Sequence, residues 1–282
     1  MKSWKTRLGL GLLLAAALAL AQAEAKGKKA RKEAAPAAMP APAQMTVADV
    51  RSCMRKNLVD RAALRDLKLN AIDREGNPHP FQLRLYWKPS KAGEPRMNLR
   101  VVAPAELAGS SYLLLGKKSG EEVYVYLAAN KKTQKINGQD MNRPLWGTDF
   151  TYSEIKQVQG ILDEGRIERK ADGTVGKHAT FVLETSTEPE MTGYQKIINY
   201  VDQQSCTLLK SEFFGKDGKR RKLLEADLTS LLQVDTYWIV LNYAMSDEKQ
   251  GTKTELSLSD LTLLEGSPEW LFNPERFFEE YK

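Results

Sequence analysis

Histidine and cysteine are scarce, with two of each among 282 residues. His79 and His178 have no second His or Cys at the spacing of a zinc site, so we expect no metal centre. The sequence also lacks a Gly-x-Ser-x-Gly elbow, a P-loop and a dinucleotide fingerprint. We therefore predict no cofactor, no catalytic residues and no enzyme activity. A hydrolase whose site is assembled from distant carboxylates stays open as a third reading.

The chain after residue 45 carries no net charge, because its acidic and basic residues are equal in number. Eight of the 42 Lys and Arg residues and two of the 36 Asp and Glu residues lie in residues 1–45, which leaves 34 of each sign in the remainder. The overall charge of +6 therefore belongs to the N-terminal part. A nucleic-acid partner would require a basic surface on the folded domain, so we expect none.

A long hydrophobic run is also missing, because the apolar stretch from Leu8 to Leu20 is shorter than the roughly 20 residues that span a bilayer. It follows a basic start and precedes Ala21-Gln22-Ala23, a small-x-small cleavage site. This pattern predicts a signal peptide over residues 1–23, cleaved after Ala23, and localisation in the periplasm. The alternative is a retained anchor. No cysteine stands at the cleavage site, which argues against lipidation.

Residues 24–45 consist mainly of Ala, Pro and Lys and contain little that could be buried. They predict a disordered linker, with contact between its basic residues and anionic lipid as the alternative. Residues 46–282 then form a single domain.

That domain begins with a predicted helix from Thr46 to Asn57, in which Thr46 is the N-cap and Met54 lies on the apolar face. Many short segments with strand periodicity follow, which favours an antiparallel sheet in a sandwich or barrel. The predicted strands are Ala63–Ile72, Phe81–Trp87, Met97–Val101, Ser111–Leu115, Glu122–Leu127, Gly165–Lys170, Ala179–Thr185, Tyr194–Asp202, Leu208–Phe214, Lys222–Leu228, Thr236–Asn242 and Thr252–Leu263.

The periodicity changes at Phe150. Thr151 and Glu154 have the spacing of a capping box, and Phe150 and Ile155 occupy the two staple positions around it. We therefore predict a short helix that starts at Thr151. Pro268–Pro274 predicts a turn that docks on the domain near the end of the chain.

A family resemblance rests on five features. They are Pro104, Gly109, the Tyr-rich segment Val123–Leu127, the turn Asn130–Lys132, and Gly147–Ile155. Together they resemble the LolA-like outer membrane lipoprotein-sorting family, although Thr148 stands where Ser is more usual. The resemblance implies a mainly β (α+β) fold, a curved antiparallel half-barrel. Helices would cover its concave face, here the helix around Met54 and the one after Phe150.

Several central strands are apolar on both faces, such as Leu113 to Leu115. A packed core and a lipid-filled cavity would both satisfy such strands. The resemblance favours the cavity and implies a carrier of lipid or of lipoprotein acyl chains, with a possible inner-membrane transporter as its partner. Strand parity leaves open which face lines the groove. The predicted groove residues are Leu99, Val101, Tyr112, Leu114, Val123, Val125, Trp146 and Phe150.

Cys53 and Cys206 are an even pair in a chain that is predicted to be exported, which favours a disulfide over two separate thiols. We expect a monomer. The alternative function is a sensor or interaction module on the same fold, which binds a protein partner and would show an exposed apolar patch on its convex face.

Overall fold

The computed structural model describes residues 41–162, 165–259 and 261–280. The predicted signal peptide and residues 24–40 of the predicted linker lie outside these ranges. Residues 41–45 are described, and they contain a short 3-10 helix, Pro42–Gln44, followed by a buried Met45. The side chain of Met45 packs into the main core, so the folded part begins at least one residue before Thr46.

The described residues form mainly β-strands, with two short α-helices. The strands are β1 (Ala63–Ile72), β2 (Pro78–Trp87), β3 (Arg96–Ala103), β4 (Ser111–Lys117), β5 (Gly120–Leu127), β6 (Lys132–Ile136), β7 (Arg166–Arg169), β8 (Gly173–Val175), β9 (His178–Ser186), β10 (Lys196–Asp202), β11 (Leu208–Phe214), β12 (Arg220–Ala226), β13 (Leu231–Val234), β14 (Tyr237–Val240), β15 (Asn242–Asp247), β16 (Thr252–Leu258) and β17 (Thr262–Leu263). The helices are α1 (Val47–Arg55) and α2 (Pro189–Thr192). Further 3-10 helices are Gly138–Asn142, Gln157–Gln159, Leu228–Ser230 and Glu269–Phe272. None of the described helices is long and apolar enough to cross a membrane.

One large antiparallel sheet contains nearly all of these strands, in the order β6-β5-β4-β3-β2-β1-β16-β15-β12-β11-β10-β9-β7. Strands β17 and β8 add to β1 and β9, whereas β13 and β14 form a separate hairpin. The sheet does not close into a barrel, because β6 and β7 form its two ends. This confirms the predicted antiparallel, open β architecture.

Alternation along the strands builds the main core on one face of the sheet, here called the inner face. In β1 the burial of Leu67, Leu69 and Ala71 alternates with exposed or half-buried residues. Leu67 pairs across the strands with Leu83 of β2 and Leu258 of β16, so the apolar rows continue from strand to strand. Hydrophobic burial on this face supplies the main driving force for folding.

Three strands, β6, β8 and β13, were not predicted from the sequence, and the predicted strands Thr236–Asn242 and Thr252–Leu263 each join two observed ones. β6 has only polar residues before the buried Ile136, because it is an end strand whose other side chains face solvent. β8 and β13 are three and four residues long. β15 follows β14 after a single residue, so β14 and the start of β15 were predicted as one strand. Short or exposed strands carry little hydrophobic alternation, which is the signal used to find them.

Helix α1 starts as predicted. Thr46 Oγ1 accepts a hydrogen bond from the Asp49 amide at 3.2 Å, and the Asp49 carboxylate accepts one from the Thr46 amide at 2.8 Å. This capping box satisfies two amides at the start of the helix. The helix buries Val50, Cys53 and Met54. Cys53 forms a disulfide with Cys206, with 5.7 Å between their Cα atoms, which confirms the predicted bridge.

The predicted helix after Phe150 is wrong. The capping contacts exist, since the Thr151 amide donates to Glu154 at 2.9 Å and the Glu154 amide donates to Thr151 Oγ1 at 3.2 Å. The chain nevertheless continues as turns and a 3-10 helix, Gln157–Gln159, which ends at Gly160 with a φ of 75°. A cap specifies only the first turn, and so short a segment gains too little from propagation to form an α-helix without help from tertiary contacts.

The outer face of β3–β5 is covered by the C-terminal residues 270–278. Leu113 and Leu115 of β4 pack there with Leu271, Phe272 and Phe277 in a second apolar cluster. This cover explains why β4 is apolar on both faces. It also removes the exposed apolar patch that a partner-binding module would require on this part of the described surface.

Hydrogen bonds fix the same C-terminal segment to β3. The buried Asn98 Nδ2 donates to the carbonyl oxygens of Leu271 at 2.7 Å and Phe277 at 2.8 Å. The Arg100 guanidinium donates to the Phe277 carbonyl at 2.9 Å. Because these donors are buried, each contact also avoids the cost of an unpaired polar group. The docked C-terminal turn that the sequence predicted is thus present.

Candidate functional site

A cavity of about 570 Å³ opens beside α1. It is bounded by α1, the β2–β3 connection, the β4–β5 turn and residues 138–162, with Thr192 of α2. This volume lies within the range of about 300–1,000 Å³ typical of small-molecule sites.

Four residues on one side of α1 and its final turn line the cavity: Arg51, Met54, Arg55 and Leu58. Their spacing of three, four and seven residues places them on a single helical stripe. Met54 is buried, Arg51 and Leu58 are half-buried, and Arg55 is exposed. This stripe therefore brings two guanidinium groups and two apolar side chains to the same cavity wall.

The opposite wall depends on a close approach between the β2–β3 connection and the end of β4. The Gly116 amide donates to the Pro95 carbonyl oxygen at 2.7 Å. A Cβ atom at Gly116 would lie 2.7 Å from Pro95 Cδ and 2.8 Å from the Pro95 carbonyl oxygen, too close for any other residue. Glycine is thus required where the end of β4 meets the β2–β3 connection at the cavity.

Apolar side chains form much of the remaining lining. These side chains come from separate parts of the chain. Two are buried, Met54 and Leu162, and four are half-buried, Leu58, Pro95, Met141 and Ile161. Binding there would remove an apolar chain from water, which favours binding by roughly 0.8 kcal/mol for each buried methylene group.

Charge around the cavity is mainly positive. Five cationic residues line it, Arg51, Arg55, Lys117, Lys118 and Lys156, against the acids Glu94 and Glu121. The buried Lys156 forms an ion pair with Glu121.

Lys117 pairs with Glu122, a residue outside the lining, at 3.2 Å. The Ser90 hydroxyl hydrogen-bonds Glu94 and, with a smaller contribution from Lys118, holds the pKa of that carboxyl below its ordinary value. Both lining acids are thus already engaged by groups of this chain.

The segment around Phe150 is anchored by buried and half-buried polar groups. Glu154, 2% exposed, accepts hydrogen bonds from Lys222 Nζ at 3.0 Å and from the Tyr194 hydroxyl. Asp149 accepts hydrogen bonds from Thr254 at 2.7 Å and from Thr252 of β16. Breaking a buried pair by removing one partner costs roughly 3–5 kcal/mol, so this segment is held firmly against the sheet.

The eight predicted groove residues are brought together by the structure. Leu99, Tyr112 and Val125 are cross-strand neighbours, as are Leu114 and Val123. With Val101 and Phe150 they are buried in the main core, and the half-buried Trp146 packs against it. None of the eight lines the 570 Å³ cavity. Their place in a ligand groove stays a prediction.

Sequence reasoning missed the cationic part of the cavity. The helical spacing of Arg51 and Arg55 with Met54 and Leu58 is visible in the sequence, but arginines at such positions have the same pattern as ordinary solvated surface cations. Lys117 and Lys118 lie in the turn between two predicted strands, and no periodicity places such a turn beside a helix 60 residues earlier.

The described residues offer little support for a metal site or for the active site of a hydrolase. No group of three or more His, Cys, Asp or Glu side chains there is arranged to hold a metal ion. His79 is exposed, 3.5 Å from Asp73, and His178 bonds Asp202 at 3.1 Å. Ser205 also bonds Asp202, rather than His178, so these residues lack the nucleophile–base contact of a hydrolase triad.

Comparison with solved structures shows similar folds over most of the chain. An outer membrane lipoprotein-sorting protein domain from Vibrio parahaemolyticus matches with a TM-score of 0.71 and 21% identity, over 81% of this chain and 96% of that one. A DUF1329 family protein from Desulfovibrio piger matches with a TM-score of 0.70 and 19% identity, over 80% and 95%. A LolA superfamily protein from Nitrosomonas europaea matches with a TM-score of 0.63 and 15% identity, over 81% and 98%.

Sequence comparison identifies fewer relatives than structure comparison does. No curated protein matches the chain. A family model with the description "Uncharacterized protein" matches residues 93–278, which is well over half of the chain. The chain therefore belongs to that family, and it has the LolA-like fold that the sequence resemblance implied.

Proposed function

We propose that this protein is a periplasmic carrier that holds an acyl chain of a lipid or of a lipidated protein in the cavity beside α1. The observation that carries the proposal is the cavity itself, open to solvent at one side and lined by apolar residues from α1 and from residues 138–162. The volume and mixed lining suit one amphiphilic molecule better than a protein surface. The LolA-like fold supports the proposal as an analogy.

Movement of an element that covers the cavity would release the ligand. The segment around Phe150 and α1 were both expected to cover the concave face, and both contribute to the cavity wall. Asp149, Glu154 and Lys156 hold the first of these to three different strands, β16, β12 and β5. We assign the movement to α1, a single short helix. It is attached through its buried Val50 and Met54, the Cys53–Cys206 bridge and the Asn57 side chain, which donates to the Ser205 carbonyl at 2.8 Å and accepts from the Trp238 amide at 3.0 Å. A membrane acceptor would then favour the open state.

The eight predicted groove residues enter this proposal only in the open state. An acyl chain confined to the present cavity would not touch Leu114 or Phe150, whereas a longer chain could reach them if α1 moved away from the inner face. The inner-membrane transporter is the proposed partner on the donor or acceptor side.

Two measurements test the carrier proposal. Mass spectrometry of an organic extract from gently purified protein is expected to show a co-purifying acyl compound. A fluorescent fatty-acyl probe is expected to bind the delipidated protein and to bind Leu58→Glu at least tenfold more weakly, because a charge would enter the apolar lining.

The matched control is Val234→Glu. Val234 is 39% exposed and does not line the cavity, so this variant introduces the same charge at a different apolar site. It is expected to bind the probe as the unchanged protein does. Absence of both extracted lipid and probe binding in the unchanged protein would refute the carrier function.

A further inference from the structure

We infer that the cavity selects amphiphiles with an anionic head group, and that Arg51 and Arg55 bind that group. The inference rests on the proposed carrier function and specifies its ligand class. The shared chemistry is an oxyanion, a carboxylate or a phosphate, attached to an acyl chain.

The charge pairing around the cavity is the first line of evidence. Lys156 is paired with Glu121, and Lys117 with Glu122. Within the described residues Arg51, Arg55 and Lys118 form no hydrogen bond or ion pair through their side chains, while Glu94 is bonded by Ser90. The positive charge on α1 is thus left uncompensated by the described part of the chain.

The geometry of α1 is the second line of evidence. Arg51 and Arg55 are four residues apart, so their side chains are neighbours on the helix surface. Like charges at this spacing destabilise a helix slightly, and a bound anion would relieve that repulsion. Guanidinium groups bind carboxylates and phosphates through two parallel hydrogen bonds, which makes arginine better suited than lysine for this role.

The difference in burial across the cavity lining indicates how the ligand would be oriented in it. Arg55 is exposed and Arg51 half-buried, whereas Met54 between them is buried. Leu162, on the other side of the cavity, is also buried. A head group between the two arginines would remain in contact with water while its chain entered the apolar lining. This arrangement avoids the cost of burying an unpaired charge.

A competing source of negative charge is in the chain itself. Asp163 and Glu164 follow the lining residue Leu162 and lie outside the described residues. If these acids neutralised the arginines, the unchanged protein would show no preference for anionic ligands, and the variant Asp163→Asn/Glu164→Gln would acquire one. That result would overturn the inference.

The decisive experiment compares two ligands with the same acyl chain, lysophosphatidylglycerol and the matching monoacylglycerol, the first with a phosphate oxyanion and the second uncharged. Both are titrated against the unchanged protein, Arg51→Gln/Arg55→Gln and the control Lys131→Gln/Lys132→Gln. The control removes the same charge from two exposed residues, the last of the β5–β6 turn and the first of β6, outside the cavity.

We expect the unchanged protein and the control to prefer the anionic ligand by about tenfold or more, with a preference that weakens at high salt. The arginine variant should lose this preference through weaker binding of the anionic ligand, with less than a twofold change for the uncharged one. Palmitate and hexadecyl phosphate should behave like the anionic ligand, and inorganic phosphate at the same concentration should not compete, since it has no acyl chain.

The outcomes separate the two claims. Equal binding of both ligands by the unchanged protein, or an equal loss of both in the arginine variant, would overturn the head-group assignment and leave the carrier function standing. Competition by inorganic phosphate alone would identify an anion site and overturn the amphiphile class. Failure of the unchanged protein to bind any of these ligands or the acyl probe would count against the carrier function itself.

Discussion

The packed interior beneath β3–β5 and the cavity beside α1 are both apolar, but they differ in what borders them. Leu99, Tyr112 and Leu114 touch other buried side chains on every side, and each is at most 1% exposed. The cavity has Met54 and Leu58 next to arginines and lysines. A region that is uniformly apolar can be filled by the chain itself. A region where apolar and cationic groups meet at a solvent opening is suited to an amphiphilic ligand.

The largest effect is expected from separating α1 from the sheet. Cys53→Ser/Cys206→Ser should lower the free energy of unfolding by about 4–5 kcal/mol, because the bridge closes a loop of 153 residues, within the chain-entropy account. Urea unfolding of the variant and of the oxidised protein measures this. A change below about 1 kcal/mol would mean that α1 is held mainly by noncovalent contacts, and acyl-probe binding would then show whether the cavity still forms.

The next largest effect distinguishes the interior from the cavity directly. Phe150→Ala should cost about 3–5 kcal/mol of stability, since Phe150 is completely buried in the main core. Leu58→Ala, at the half-buried cavity wall, should cost clearly less while weakening acyl-probe binding. Thermal unfolding and probe titration of the two variants give the comparison. A Phe150→Ala protein that stays stable but loses the probe would place Phe150 in the ligand groove, as the sequence predicted.

A smaller effect is expected on the outer face. Asn98→Ala should cost about 1–3 kcal/mol, because it leaves the buried carbonyl groups of Leu271 and Phe277 without this donor. Increased susceptibility of the C-terminal segment to proteolysis should accompany the loss. Asn137→Ala serves as the control at an exposed asparagine. Equal stability of the two variants would show that the apolar contacts of Phe272 and Phe277 hold the segment unaided.

The smallest effect concerns Glu269 at the start of the C-terminal 3-10 helix. Hydrogen bonds from Lys88 and Arg96 lower the pKa of Glu269 from 4.5 to about 2. A lowered pKa in the folded state stabilises the protein above the ordinary pKa, and this contribution disappears as the pH falls from 4.5 towards 2. The carboxylate is 68% exposed, so solvent screening should keep the contribution below about 1 kcal/mol.

Glu269→Gln should therefore be slightly less stable than the unchanged protein at pH 7 and equally stable near pH 2. Melting temperatures across this range measure the difference. A difference that persists unchanged at pH 2 would show that the charge of Glu269 is not its source.

The regular parts of the fold were predictable because their residues alternate strongly. β1 and β11 have the predicted bounds, and the capping box of α1 is at Thr46 and Asp49 as expected. The apolar strands were found, but the partner of each face was not. Leu113 and Leu115 pack against residues more than 150 positions later in the chain, and no local pattern specifies such a contact.

The candidate site was less predictable for a related reason. A cavity is bordered by whatever the topology brings together, here a helix, two connections and an irregular segment. The residues with the strongest hydrophobic signal, such as Tyr112 and Leu114, are those that the core uses. Site residues such as Arg51 and Lys118 resemble ordinary surface cations until their neighbours are known.

The order of strands has a consequence for synthesis of the chain. Strands β1 to β6 are consecutive neighbours, and so, with few exceptions, are β7 to β16, while β1 joins the two series by pairing with β16. As the chain is made from its N-terminus, the first series can pair early. Its β1 edge and its outer apolar face then stay uncovered until the last strands and the C-terminal segment arrive. The incomplete chain therefore exposes an unpaired strand edge and apolar surface until β16 and the C-terminal segment have been made, so a chaperone would be most useful to it before that point.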